Sequence, residues 1–378
     1  MMKQLNNLIT ELETAAQYPS RTVQQAMEIS KRPAVGCFPY YTPDEIIYAA
    51  GFLPVGLWGG QSDIMLADTY LQSFCCSMMR ENVEQGMKGH YDFLSAVIIP
   101  TYCDTLKCIC ENWKAAVPQT ILIPMVYPQN RSIQAGIDYL VAEYQRVQEE
   151  LEGISGRKIT EQKLTDSFLL YEEYRTLMRE FTILAARYPI TINAKTRQLL
   201  LKAAFFMDKK MYIQKIREIC RNLENFPAES FDGKKVVVTG ILAEPTGLLD
   251  ILVENKIAIV ADDLANSSWQ FRTNSQKGNG VLEKMAYRIA DQSGCSLLFE
   301  AQKTRGQLLV DLVKTTEADG VVVVMMKFCD PEEFDYPIYK KELEAANIPL
   351  LYLEIEQKMD SMEQLRTRVQ SFAEMLDD

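Results

Sequence analysis

Two short apolar runs, one in each half of the chain, constrain the fold more than any other feature. The first is Ala96-Val97-Ile98-Ile99-Pro100, followed by Thr101-Tyr102-Cys103-Asp104. The second is Val321-Val322-Val323-Val324-Met325-Met326, followed by Lys327-Phe328-Cys329-Asp330. A short β-branched run without polar alternation has the pattern of a strand buried on both faces, and such strands belong to parallel sheets covered by helices. In open α/β sheets ligands bind at the carboxyl ends of the strands. Two such ends that each present a Cys-Asp pair point to a shared metal or redox site. The single histidine, His90, leaves little for zinc sites of the His/Cys type or for histidine-based triads. Sulfur chemistry is expected.

The rest of the chain alternates in the same way. Residues 34–38 and 53–58 read as strands around a helix whose start, Thr42-Pro43-Asp44-Glu45, has the form of a capping box and whose end is marked by Gly51. A helix near 77–87 precedes the run ending at Cys103, and 121–124 reads as another strand. From about 132 the period changes: Ile133, Ile137, Leu140, Tyr144, Val147 and Leu151 share a helical stripe, and helical spacing continues to about residue 225. Strands are then expected at 234–240, 257–261, 296–299, 320–325 and 350–355, with a last helix from about Met362. The expected architecture is α/β, with two doubly wound (Rossmann- or flavodoxin-like) parallel-sheet domains and a helical segment. The boundaries are a helical arm at 1–30, a first α/β domain at 31–130, the helical segment at 131–230 and a second α/β domain at 231–378.

A net charge of −11 argues against binding to nucleic acid. No run of 18 apolar residues suits a membrane helix, and the start lacks an apolar leader core, so a cytoplasmic location is expected. In a reducing compartment, nine cysteines, an odd number, point away from structural disulfides. The reading with chemistry in it gathers Cys103, Cys329 and one of the vicinal pair Cys75-Cys76 around an iron–sulfur cluster. The competing reading is that these cysteines are buried packing residues. Cys220 and Cys295 read as core, Cys108 and Cys110 as helix packing, and Cys37 as a further candidate. Asp262-Asp263 is either functional or a helix entry. Trp58-Gly59-Gly60 allows a close backbone approach, by a ligand or in a tight turn. Asp330, Glu332 and Glu333 read as a helix cap, and His90 as a surface residue. No nucleotide-binding glycine pattern or Walker A sequence is present.

Several blocks then stand out together. Gly36-Cys37-Phe38-Pro39-Tyr40-Tyr41-Thr42-Pro43-Asp44-Glu45, Pro54-Val55-Gly56-Leu57-Trp58-Gly59-Gly60, Cys103-Asp104-Thr105-Leu106, Ala261-Asp262-Asp263 and Met325-Met326-Lys327-Phe328-Cys329-Asp330-Pro331-Glu332-Glu333 resemble the β subunits of 2-hydroxyacyl-CoA dehydratases. The similarity spans essentially the whole chain, and the wider family includes benzoyl-CoA reductase subunits and double-cubane reductases.

The resemblance implies a heterodimer with an α subunit, and a [4Fe-4S] cluster on this chain held by Cys76, Cys103 and Cys329. It implies an acyl-CoA substrate and a separate ATP-dependent iron–sulfur activator. The implied reaction is elimination of water from an (R)-2-hydroxyacyl-CoA to the (E)-2-enoyl-CoA through a ketyl radical. The sequence blocks sit closer to family members that handle apolar 2-hydroxy acids than to the glutaryl ones. The alternatives are a benzoyl-CoA-type or double-cubane ATP-dependent reductase, a non-catalytic electron-relay subunit, and a metal-free α/β protein.

Overall fold

The structure of the chain, a computed structural model, describes residues 2–274 and 276–377. Among these residues every strand belongs to one of two four-stranded, wholly parallel sheets. The first holds β1 (Ala34–Cys37), β2 (Leu53–Gly56), β3 (Leu94–Pro100) and β4 (Ile121–Met125), in the spatial order β2-β1-β3-β4. The second holds β5 (Lys234–Gly240), β6 (Ile257–Leu264), β7 (Gly320–Met326) and β8 (Leu350–Ile355), in the order β6-β5-β7-β8. The two orders are the same. In each sheet the chain first winds one way and then reverses past its starting strand. The crevice of such a sheet opens where the order reverses, between β1 and β3 and between β5 and β7. The two β-branched runs are the third strands, β3 and β7, and β7 is buried along its whole length.

Helix α1 (Met2–Gln17) leads into α2 (Pro19–Ser30), and the first sheet is accompanied by α2, α3 (Asp44–Ala49), α4 (Ser77–Met87) and α5 (Asp104–Ala116). The expected single leading helix is two, because Pro19 opens α2 with no N–H to continue the first. The expected capping box before α3 does not form either. Thr42 gives no cap to the backbone, and Glu45 accepts instead from Arg175 at 2.8 Å and Arg288 at 2.6 Å. Two buried guanidinium groups are stronger partners for a carboxylate than one neutral amide.

The helical segment comprises α6 (Gln134–Ser155), α7 (Glu161–Ala185), α8 (Ala194–Ala203) and α9 (Lys209–Leu223). The stripe of α6 is buried as expected and stops at Gly156, which is left-handed. Helices α1 and α7 to α9 close a separate core around Leu5, Leu12, Met178, Phe181, Tyr212 and Ile216. Around the second sheet lie α10 (Thr246–Glu254), α11 (Val281–Asp291), α12 (Arg305–Thr316), α13 (Asp330–Ala345) and α14 (Glu363–Met375). Residues 296–299 form a turn, not a strand. Cys295 is tied to the Tyr41 hydroxyl at 3.2 Å and Ser296 to Glu332 at 2.5 Å, which pins the segment across the strand ends rather than along an edge. No described helix is long and apolar enough to cross a membrane.

Candidate functional site

Cys76, Cys103 and Cys329 occupy one structural position three times over: each is the N-cap of a helix, α4, α5 and α13 respectively. Cys103 follows β3 and Cys329 follows β7, so equivalent switch points of the two sheets each supply one thiol. A helix N-terminus offers unpaired amides and the positive end of its dipole, both favourable to a thiolate. The Cys103 sulfur accepts from the Leu106 amide at 3.5 Å. Cys76 and Cys329 are buried, at 7% and 8% exposure, and Cys103 is half-buried.

The three thiols lie within electrostatic reach of one another. Burial, then the charge of Cys103, pushes the Cys76 thiol up to about 12. Burial, then Glu332 and Cys76, holds the Cys329 thiol well above its ordinary value. Burial also raises Cys103. The phenol of Tyr40 is held far up by burial and then by all three cysteines, so it faces the group. Its ring packs edge-on against Trp58 at 5.7 Å and lies 6.3 Å from Trp269. These thiols stay neutral until a cationic partner arrives, and a soft, all-sulfur donor set selects iron–sulfur clusters, zinc or Cu(I). Among the described residues no three His, Cys, Asp or Glu side chains stand ready to hold a metal ion. Thiolates around a cubane each bind a different iron, so they enclose a larger volume than ligands sharing one ion.

The other cysteines point elsewhere. Cys75 is buried beside Thr105 and Cys108. Cys37 is buried facing Asp44 and Thr42. Cys110 is buried against the Ile99 carbonyl, Cys108 is exposed and Cys220 half-buried. His90 is exposed beside Gln85.

Sequence reasoning missed the side chains that fix the trio. Asp262 and Asp263 lie inside β6 and are not a helix entry. Asp263 receives Arg305 at 2.7 Å, Trp269 at 2.6 Å, Thr239 at 2.7 Å and also Arg272, while Asp262 pairs with Arg197 at 2.6 Å. Glu332, expected as a cap, is fully buried and forks onto Arg305 at 2.7 and 3.0 Å. Arg305 thereby ties the first turn of α13, next to Cys329, to the ends of β5 and β6. Glu333 does cap the turn, accepting from the Phe328 amide at 3.2 Å.

Across the two halves, Gln357 donates to the Trp58 carbonyl at 2.6 Å and to Glu244 at 3.2 Å, and its amide reaches the Ser77 hydroxyl at 3.1 Å. Ser77 in turn donates to the Met326 sulfur at 3.2 Å. The close approach at Gly59-Gly60 is therefore made by the protein itself. A Cβ on Gly59 would lie 2.0 Å from the Gln357 amide oxygen, and the Gly60 amide bonds that same oxygen at 3.2 Å. No local pattern announces Arg305 or Gln357, since their partners are remote in sequence.

A family model described as 2-hydroxyglutaryl-CoA dehydratase, D-component, matches residues 39–376. The chain is 43% identical to the lactoyl-CoA dehydratase subunit beta of Anaerotignum propionicum, over 99% of this chain and 100% of that one. It is 40% identical to the (R)-phenyllactyl-CoA dehydratase beta subunit of Clostridium sporogenes, again over 99% of this chain and 100% of the relative. With the (R)-2-hydroxyglutaryl-CoA dehydratase, subunit beta, of Acidaminococcus fermentans the identity is 36%, over 98% and 100% of the two chains. With matches that run nearly end to end over a chain whose two sheet ends each present a capping cysteine, this protein belongs to the 2-hydroxyglutaryl-CoA dehydratase D-component family.

Proposed function

We propose that this chain is the β subunit of an (R)-2-hydroxyacyl-CoA dehydratase, a hydro-lyase that forms the (E)-2-enoyl-CoA, and that Cys76, Cys103 and Cys329 hold a [4Fe-4S] cluster. The observation that carries this reading is the meeting of three thiols at helix N-caps, two of them just beyond the third strands of the two sheets, within electrostatic reach of one another. The relatives that act on lactoyl-CoA and phenyllactyl-CoA are the more similar of the three compared, which supports an apolar 2-hydroxyacyl group over a glutaryl one.

The elimination is hard because the β-hydrogen is not acidic and hydroxide leaves poorly next to a carbonyl. One electron from an ATP-dependent iron–sulfur activator converts the thioester carbonyl to a ketyl radical, from which hydroxide departs. The enoxy radical then has a far more acidic β-hydrogen, and after its removal the electron is recovered. A cluster on this chain would supply one-electron storage and transfer. The chain's own residues do the rest. The amides at the starts of α4, α5 and α13 stabilise the thiolates. Tyr40, backed by Trp58 and Trp269, faces them from the buried side, and Arg305 with Glu332 holds the turn that carries Cys329.

The test is iron and acid-labile sulfide content, with EPR after reduction, on protein purified without oxygen together with its α subunit. About four irons per chain are expected by the cubane's stoichiometry, lost in Cys76→Ala, Cys103→Ala or Cys329→Ala. Given an activator, turnover should proceed with no net consumption of electrons. An iron-free chain would sink the reading, and stoichiometric consumption of reductant would move it to a reductase.

A further inference from the structure

We propose that Asp44 and Lys209, together in two adjoining cavities behind Tyr40, form a proton-loading site that takes up one proton when the cysteine-held centre is reduced. The inference rests on the cluster reading above. The larger cavity, about 40 Å³, is lined by Asp44, Glu45, Tyr171, Arg175, Lys209 and Arg288. The smaller, about 20 Å³, is lined by Cys37, Tyr40, Asp44, Trp58, Phe205 and Lys209. Each has room for water, which needs roughly 10–15 Å³. Asp44 and Lys209 line both, so a polar passage leads from the Glu45–arginine pairs to the tyrosine that faces the three thiols.

The groups in this passage are incompletely satisfied. Lys209 is 6% exposed and among the described residues donates only to the Ala204 carbonyl at 3.0 Å, with its ammonium 4.2 Å from the Tyr174 ring centre. The Tyr171 hydroxyl is buried without a hydrogen-bond partner. Asp44 is faced by Cys37 from β1, Glu45 on its own helix, Tyr171 and Tyr174 from α7, Lys209 at the start of α9, and Arg288 from α11. Burial lifts its carboxyl to about 6 against the pull of Lys209. Burial in turn holds Lys209 below its ordinary value, against Asp44 and Asp208. Near neutral pH an added proton therefore goes to Asp44.

An electron placed on a buried centre adds a negative charge where the dielectric is low, and a proton taken up nearby offsets it. The step balances as follows. A low-potential one-electron donor gives one electron to the centre, and one proton from solvent converts the Asp44 carboxylate to the neutral acid. Both leave on reoxidation, and no bond to the centre is formed.

The experiment is a potentiometric titration of the intact heterodimer, followed by EPR, with dithionite as reductant and on both sides of about pH 6. The wild-type midpoint potential should fall as pH rises above that value. Asp44→Asn should make it independent of pH, Asp44→Glu should retain the slope, and Lys209→Met should move its onset to higher pH. Reduced-minus-oxidised infrared spectra of wild-type protein labelled with ¹³C-aspartate give a readout that needs no variant, and a protonated aspartyl carboxyl should appear on reduction. A wild-type potential that ignores pH, a slope unchanged in Asp44→Asn, or no carboxyl signal would overturn the inference while the cluster stands. A preparation without iron would overturn both.

Discussion

Arg305 and Glu45 are each committed to two buried ion pairs. Arg305, 2% exposed, is gripped by Asp263 and Glu332, both fully buried. Removing one partner of such a group leaves uncompensated buried charge, at a cost of about 3–5 kcal/mol. Arg305→Met is therefore expected to lower unfolding stability by that amount in a denaturant titration and to loosen retention of iron beside Cys329. Glu45 makes a pH-dependent contribution. Burial alone would raise its carboxyl, but Arg288 and then Arg175 overcome this and hold it down at about 2. A carboxyl depressed in the folded state stabilises above its unfolded value and loses that contribution as pH falls through the folded one. Unfolding measured from about pH 4.5 down to about 2 should show the loss, and Glu45→Gln should flatten it at the expense of stability at neutral pH.

At the scale of elements, the strands and most helices were legible because their signals are local. Val321 to Val324 admit little but a buried strand, and Gly156 ends α6 as its left-handed geometry requires. The failures share one cause. Glu45, Glu332, Asp263 and Ser296 each carried a plausible local role, as cap, cap, helix entry and strand residue, and each was taken instead by a buried arginine or carboxylate far away in sequence. The capping cysteines were legible as candidates, since a thiol after a strand and before a helix is visible in one dimension. The groups that set their surroundings, Tyr40, Lys209 and Gln357, were not. Gly240 offers a test at this scale. It sits at φ +142°, and a Cβ there would lie 2.3 Å from the Val324 carbonyl oxygen, between β5 and β7. Gly240→Ala should cost more than about 1 kcal/mol and displace the end of β7 that leads to Cys329, seen as lower thermal stability and weaker iron binding together.

At the scale of the whole molecule, the cysteine trio spans the two sheets, and Gln357, 1% exposed, is one of the polar links that hold the two halves together. A group bound by all three thiols would cross-link the halves, and anything that binds only the folded form stabilises it by mass action. The iron-loaded chain should therefore melt above the iron-free chain. That difference should vanish in Cys329→Ser and shrink in Gln357→Ala, as followed by calorimetry under anaerobic conditions.

The unequal placement of these thiols also matters while the chain is being made. Cys76 and Cys103 leave the ribosome long before Cys329, which lies near the end of the second sheet. A chain that stops before β7 thus holds only two of the three converging thiols. If the trio holds a cluster, its loading would have to wait for translation to reach the last strands, and incomplete products would lack the full trio with which to divert a cluster from its intended owner. On the cluster reading, iron content would then certify that synthesis was finished and that the two halves have met.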